Sequence, residues 1–176
     1  AAVDAVQGSG TIELTSSIAL SDQVTIDSGK TIILDMNGET LSIGFSDSSK
    51  NLIVNNGTLT ITGDGTFDAT EATSYKGFIN NYGTLTVENG TFQIADKAMT
   101  VHLRNQDGGK AVINGGTFSG GATIVRSFEG SNTTITGGSF TNSVYPAVDV
   151  NGETLITGGI FTNTSCSRCD SQNWGY

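Results

Sequence analysis

The chain has 176 residues, with 24 Gly, a single Pro and only 14% charged side chains, a mix too poor in Ala, Glu, Lys, Leu and Arg for a helical bundle. Regularly spaced Val, Ile, Leu and Phe argue against disorder. Seventeen acids against eight bases leave a net charge of −9, the wrong sign for gripping a phosphate backbone, and no apolar run approaches the roughly 20 residues a membrane span requires.

That length fits one domain with its own core. No leader peptide is legible at the N-terminus, where a start at Ala1 rather than Met is what processing would leave. Residues 1–7 (AAVDAVQ) place Val3 and Val6 on one face and predict a short amphipathic helix, so that 1–10 forms an N-terminal cap. Strand phrases follow with a blurred repeat: TIEL (11–14), VTID (24–27) and LSIG (41–44).

From residue 57 the repeat sharpens into GTLTITGDGTF (57–67), GTLTVENGTF (83–92), KAVINGGTF (110–118), NTTITGGSF (132–140) and ETLITGGIF (153–161). Each is an alternating strand, a turn pair and a closing aromatic: Phe67, Phe92, Phe118, Phe140 and Phe161. The intervals between those rings are 25, 26, 22 and 21 residues. A loose period in the low twenties is too long for hexapeptide helices and too short for propeller blades or helical-pair repeats. The Leu-x-x-Leu-x-Leu frame of leucine-rich repeats is missing. Between these segments runs a second family of strands: TIILD (31–35), LIVNN (52–56), GFINN (77–81), MTVHL (99–103), TIVRS (123–127) and AVDV (147–150). Each coil therefore has at least two strands. The fold predicted is an all-β, right-handed parallel β-helix, a solenoid of about seven coils over 11–162, roughly 35 Å long at the ~4.8 Å strand spacing.

Alternation puts Leu59 and Ile61 inward and Thr58, Thr60 and Thr62 outward. One coil cannot close a core, but stacked coils bury ladders of like residues, with the phenylalanines stacking offset through the axis. Scarce Pro fits strands that donate to both neighbours. Solenoid ends need covers. Residues 163–176 leave the repeat, and they are either a cap carrying Trp174 and Tyr176 or a boundary tail.

The opening AAVDAVQGSGTIEL, the phrase SGKTIILDMNGETLSI (28–43) and the GGTF-type corners resemble the pectate-lyase-like right-handed parallel β-helix superfamily. Over about residues 1–162 the chain is particularly similar to Gly/Thr-rich modules of secreted bacterial surface proteins and to β-helical phage fibre modules. The resemblance implies the fold strongly and any activity weakly.

Cys166 and Cys169 form an isolated C-S-R-C. A disulfide bracing the end cap is the preferred expectation, ahead of free thiols, a metal or intermolecular bonding. No metal site and no cofactor is expected. Aligning the second strand family on its last buried residue sets Asp35, Asn55, Asn80, Arg104, Arg126 and Asp149 in one outward column, with His102 facing the same side. Asn55 over Asn80 has the form of a structural amide ladder, and the whole column that of a solvated charge ladder. The same column, through His102, Arg104, Arg126, Asp149 and Asn80, is also a candidate groove for an anionic or hydroxyl-rich ligand.

The resemblance frames the enzyme question. Lyases of that superfamily cluster acids around Ca²⁺ and use an Arg or Lys base, and its glycosidases gather two or three Asp residues. This column offers only Asp35 and Asp149, with four rungs between them, so catalysis is disfavoured and no catalytic residue is assigned. Outward Thr60/Thr62 and Thr134/Thr136 pairs raise ice binding, although Glu88 interrupts the row. The expectation is a non-catalytic, extracellular or cell-surface β-helix module, a rigid spacer, adhesive or glycan-binding unit of a bacterial or phage surface. A polysaccharide lyase or glycoside hydrolase is the alternative, and an ice-binding solenoid the third. Its expected partners are a glycan or surface molecule and neighbouring modules or a second copy, with no nucleic acid and no membrane insertion.

Overall fold

The structure, a computed structural model, describes residues 2–72, 74–95, 100–142 and 145–163. Helix α1 (Ala2–Ala5) opens the chain. The first turn is β1 (Ser9–Glu13), β2 (Ile18–Leu20) and β3 (Val24–Ile26), and the second β4 (Thr31–Asp35), β5 (Thr40–Ile43) and β6 (Asn51–Asn55). The third is β7 (Thr58–Thr62), β8 (Thr66–Ala69) and β9 (Gly77–Asn81), and the fourth β10 (Thr84–Val87), β11 (Thr91–Ile94) and β12 (Val101–Asn105). The fifth is β13 (Lys110–Ile113), β14 (Thr117–Ser119) and β15 (Thr123–Ser127), and the sixth β16 (Asn132–Ile135), β17 (Ser139–Asn142) and β18 (Val148–Val150). β19 (Glu153–Ile156) and β20 (Ile160–Asn163) begin a seventh.

Every third strand pairs in parallel, giving two seven-stranded sheets and one six-stranded sheet. Sheet 1 runs from β1 to β19, sheet 2 from β2 to β20 and sheet 3 from β3 to β18. The fold is thus an all-β parallel solenoid of about six turns, with three strands per turn where the sequence separates only two. The extra strand comes from the corner inside each repeat phrase. Gly90, Gly116, Gly138 and Gly159 take φ of 113°, 100°, 103° and 106°, a region that side chains resist. There the chain leaves sheet 1 and enters sheet 2, so the closing Phe belongs to a different strand from the residues before the corner.

Stacking turns repeats into ladders. Leu41, Phe67, Phe92, Phe118, Phe140 and Phe161 are register partners along sheet 2. The rings of Phe67, Phe92, Phe118, Phe140 and Phe161 stack at centroid spacings of 4.6, 4.6, 5.0 and 4.7 Å. Ile32, Leu59, Leu85 and Ala111 form one buried column of sheet 1, and Leu34, Ile61, Val87, Ile113 and Ile135 form the other.

The ends differ. At the start, Val3 is buried, and the Lys30 ammonium donates to its carbonyl at 2.7 Å. In the last turns Val150, Leu155, Ile156, Ile160 and Phe161 are exposed, Ile160 by 68%. The expected C-terminal cap with Trp174 and Tyr176, and the Cys166–Cys169 pair, lie outside the described residues.

Candidate ligand-binding face

The outer surface of sheet 3 differs chemically from those of the other two sheets. On sheet 2 one outward column is Thr40, Thr66, Thr91, Thr117, Ser139 and Ile160, and the other Ser42, Asp68, Gln93, Ser119, Thr141 and Thr162, with a single charge between them. On sheet 1 it includes Thr11, Ile33, Thr60, Thr86, Val112, Thr134 and Leu155, so aliphatic residues break the threonine row. On sheet 3, register pairs Thr25 with Val54, Val54 with Asn80, Asn80 with Arg104, Arg104 with Arg126 and Arg126 with Asp149.

Arg104 and Arg126 therefore sit on adjacent rungs, about 4.8 Å apart along the axis. Arg126 has two partners: its Nε lies 2.9 Å from Asp149 Oδ2, and its guanidinium carbon lies 5.4 Å from the Phe128 ring centroid. The carboxylate is close but off the N–H direction, so this is an ion pair without an aligned hydrogen bond. Among the described residues Arg104 has neither kind of partner. Its half-buried Nε is shielded from solvent and makes no hydrogen bond among the described residues. Burial first, and then the neighbouring Arg126 charge, lower its pKa from the ordinary value; a guanidinium stays protonated regardless.

The rung below is already committed. Gln106 Nε2 donates to Asn80 Oδ1 at 2.6 Å, and Asn80 Nδ2 donates to the Tyr82 hydroxyl at 3.3 Å. Tyr82 is exposed and Phe128 half-buried. The face thus combines two forked cations, an amide pair, a carboxylate and two aromatic rings, a set suited to oxyanions and hydroxyl-rich rings.

Three residues expected on this face lie elsewhere. Asp35 belongs to β4 in sheet 1, where its Oδ1 accepts the Asn37 N–H at 3.0 Å. Asn55 points inward and is fully buried, and Val54 takes its outer rung. His102 does not border the face: it is 1% exposed, edge-on to Phe78 and Phe118 at 5.5 and 6.1 Å.

The reason is a local break in alternation. Register passes from Val101↔Thr123 directly to Leu103↔Val125, and successive residues Leu52/Ile53, Phe78/Ile79, His102/Leu103 and Ile124/Val125 are all buried. Between β15 and β18 the N–H groups of Ile124 and Val125 both donate to the Ala147 carbonyl, the pattern of a bulge. Strand direction shifts there, and the first residue of the break, Ile124 in β15 and His102 in β12, turns inward. His102 Nε2 donates to the Gly120 carbonyl at 3.1 Å, which fixes the tautomer by chemistry, while Nδ1 stays unpartnered. Burial pushes the imidazole down to about 4 against the opposing backbone hydrogen bonds, so it is neutral at neutral pH.

Sequence reasoning missed Gln106, Tyr82 and Phe128. They lie two residues beyond Arg104, Asn80 and Arg126, at the ends of the same strands, where an outward residue follows an inward Asn or Ser.

Among the described residues no group of three or more His, Cys, Asp or Glu side chains is placed to hold a metal ion. No helix of the described residues is long and apolar enough to cross a membrane. The chain matches no protein-family model, and no match was found among curated proteins or solved structures.

Proposed function

We propose that this chain is a non-catalytic, extracytoplasmic module of the right-handed β-helix type, similar in design to the pectate-lyase-like superfamily. It serves as a rigid spacer or adhesive unit of a bacterial or phage surface and meets a glycan through the outer face of sheet 3. The observation that carries this reading is the Arg104–Arg126 pair, two cations in register on one face of a chain whose net charge is −9.

Stability alone gives no reason for that placement, because like charges opposite one another in a sheet repel. Guanidinium forks, the Gln106 amide and the Tyr82 hydroxyl together offer donors and acceptors to a sugar, on a rung held in place by the buried Asn80. Parallel pairing along three sheets supplies the stiffness of a spacer.

The test is a glycan array probed with the purified chain and with its Arg104→Ala/Arg126→Ala variant. Binding by the first and none by the second, at unchanged thermal midpoint, supports the reading. Equal binding by both removes the face from it. Turnover of a uronate polymer by the wild-type chain would replace a binding module with an enzyme.

A further inference from the structure

The two arginines are unequal. Arg126 is already engaged by Asp149 at 2.9 Å and by the Phe128 ring, whereas Arg104 has no counter-charge among the described residues, and Asn80 beneath it spends its amide on Gln106 and Tyr82. Arg104, Arg126 and Asp149 occupy three successive rungs, so the outer column there carries two positive charges and one negative. That leaves room for one further negative charge before the local balance turns repulsive.

We infer that Arg104 is the primary seat for the single carboxylate of an acidic sugar, and that Asp149 restricts the site to monoanions by occupying Arg126. The inference rests on the proposed glycan-binding role of this face. A carboxylate accepts two parallel N–H donors from one guanidinium, and a single free guanidinium meets that need. A doubly charged phosphate monoester needs more than one cation and lies close to the Asp149 carboxylate, which repels it. The poor alignment of the Arg126–Asp149 pair makes Arg126 the cation that is released when Asp149 loses its charge. The sugar ring would extend from Arg104 towards Tyr82, whose exposed phenol presents a hydroxyl partner above the buried, already paired Asn80 amide.

The experiment is an NMR titration of the full chain, following the Arg104 and Arg126 Nε–H and the Asn80 amide signals. The probes are N-acetylneuraminate as a carboxylate sugar, glucose 6-phosphate as a dianion, and glucose as a neutral control. The wild-type chain should shift with N-acetylneuraminate and far less with the other two. Arg104→Lys keeps the charge but loses the fork, and should weaken that response. Asp149→Asn should strengthen glucose 6-phosphate binding by roughly two- to fivefold, the size carried by an exposed charge.

If glucose shifts the same signals as strongly as N-acetylneuraminate, the carboxylate seat is wrong while a sugar-binding face stands. If none of the three sugars nor any array glycan perturbs sheet 3, the face itself fails and the inference falls with it. If Asp149→Asn weakens binding of the acidic sugar, Asp149 is a contact rather than a restriction, and its assigned role is overturned.

Discussion

Asn81 and Asn105 are joined through their side-chain amides at 2.8 Å, inside the solenoid where neither is exposed. Asn55 donates to Asn81 in the same way at 2.8 Å, so three amides on successive turns point along the axis. Each also donates to a carbonyl at the start of a sheet 1 strand one turn beyond the one that follows it in the chain: Asn55 to Thr84, Asn81 to Lys110 and Asn105 to Asn132. The ladder ends on hydroxyls, Asn105 donating to Thr133 Oγ1 at 2.9 Å with Ser127 bonded to the same oxygen at 2.7 Å. It pins the corner between sheets 3 and 1. Asn81→Leu breaks it in the middle and strands the Asn105 carbonyl oxygen, which should cost roughly 2–4 kcal/mol in urea melts. Asn114→Ala removes an exposed amide contact to Glu88 and should cost under about 0.5 kcal/mol. Similar costs for the two would mean that the buried amide ladder stabilises the fold no more than an exposed hydrogen bond does.

The aromatic column makes a sharper contrast between neighbours. Phe118 is stacked on both sides, at 4.6 Å from Phe92 and 5.0 Å from Phe140, while Thr117 faces solvent. Phe118→Ala opens a cavity between turns and should cost roughly 3–5 kcal/mol. Thr117→Ala should cost under about 0.5 kcal/mol. Equal effects in the same melts would place the ring outside the core.

His102 predicts a dependence on pH. Its folded value is held at about 4 by burial, below the ordinary value near 6.5. Between those limits the unfolded chain binds a proton that the folded chain refuses. The contribution of His102 is therefore fully present above about pH 6.5 and is lost as pH falls towards 4, by about 3 kcal/mol over the window. His102→Leu abolishes this component. Urea midpoints at pH 7 and pH 4.5, for wild type and variant, should show a fall in the wild type that exceeds the variant's. Parallel falls in both would assign the acid sensitivity to carboxylates instead.

The phenylalanine ladder is legible in the sequence because one ring recurs beside an unmistakable glycine corner. The sheet 3 register is harder to see. Ile53 and Val54 are both aliphatic, so aligning on the last buried residue slips that strand by one and exchanges Asn55 for Val54 on the outer rung. The correct signal was present: counting back two residues from Gly57 and from Gly83 sets Asn55 over Asn81. His102 is a different failure. Strict alternation places it beside Arg104, and only the shared break at Phe78, His102 and Ile124 turns it inward. Such a break depends on packing against the Phe ladder, a tertiary contact that no local pattern encodes. Arg104 and Arg126 escape both problems because they lie beyond the break, each directly after an inward aliphatic.

Those two arginines allow a last prediction that separates a group kept for binding from one kept for folding. Arg104 has a like charge on the next rung and, among the described residues, no counter-charge, and burial and Arg126 together lower its pKa. Arg104→Gln relieves the repulsion and keeps much of the side-chain stem packed against the sheet. Coulomb repulsion at this spacing, screened by solvent, is on the order of 0.5 kcal/mol. The thermal midpoint of Arg104→Gln should therefore rise by about 1–3 °C, in proportion to that relief. Arg126→Gln removes the same repulsion but also the Asp149 ion pair and the Phe128 contact, so its midpoint should stay level or fall. Raising the salt concentration should shrink the difference between the two variants, since it screens attraction and repulsion alike. Calorimetry at low and high salt measures all three quantities. A midpoint for Arg104→Gln well below the wild type would show that Arg104 supports the fold, and would leave its isolation from any counter-charge without a functional reason.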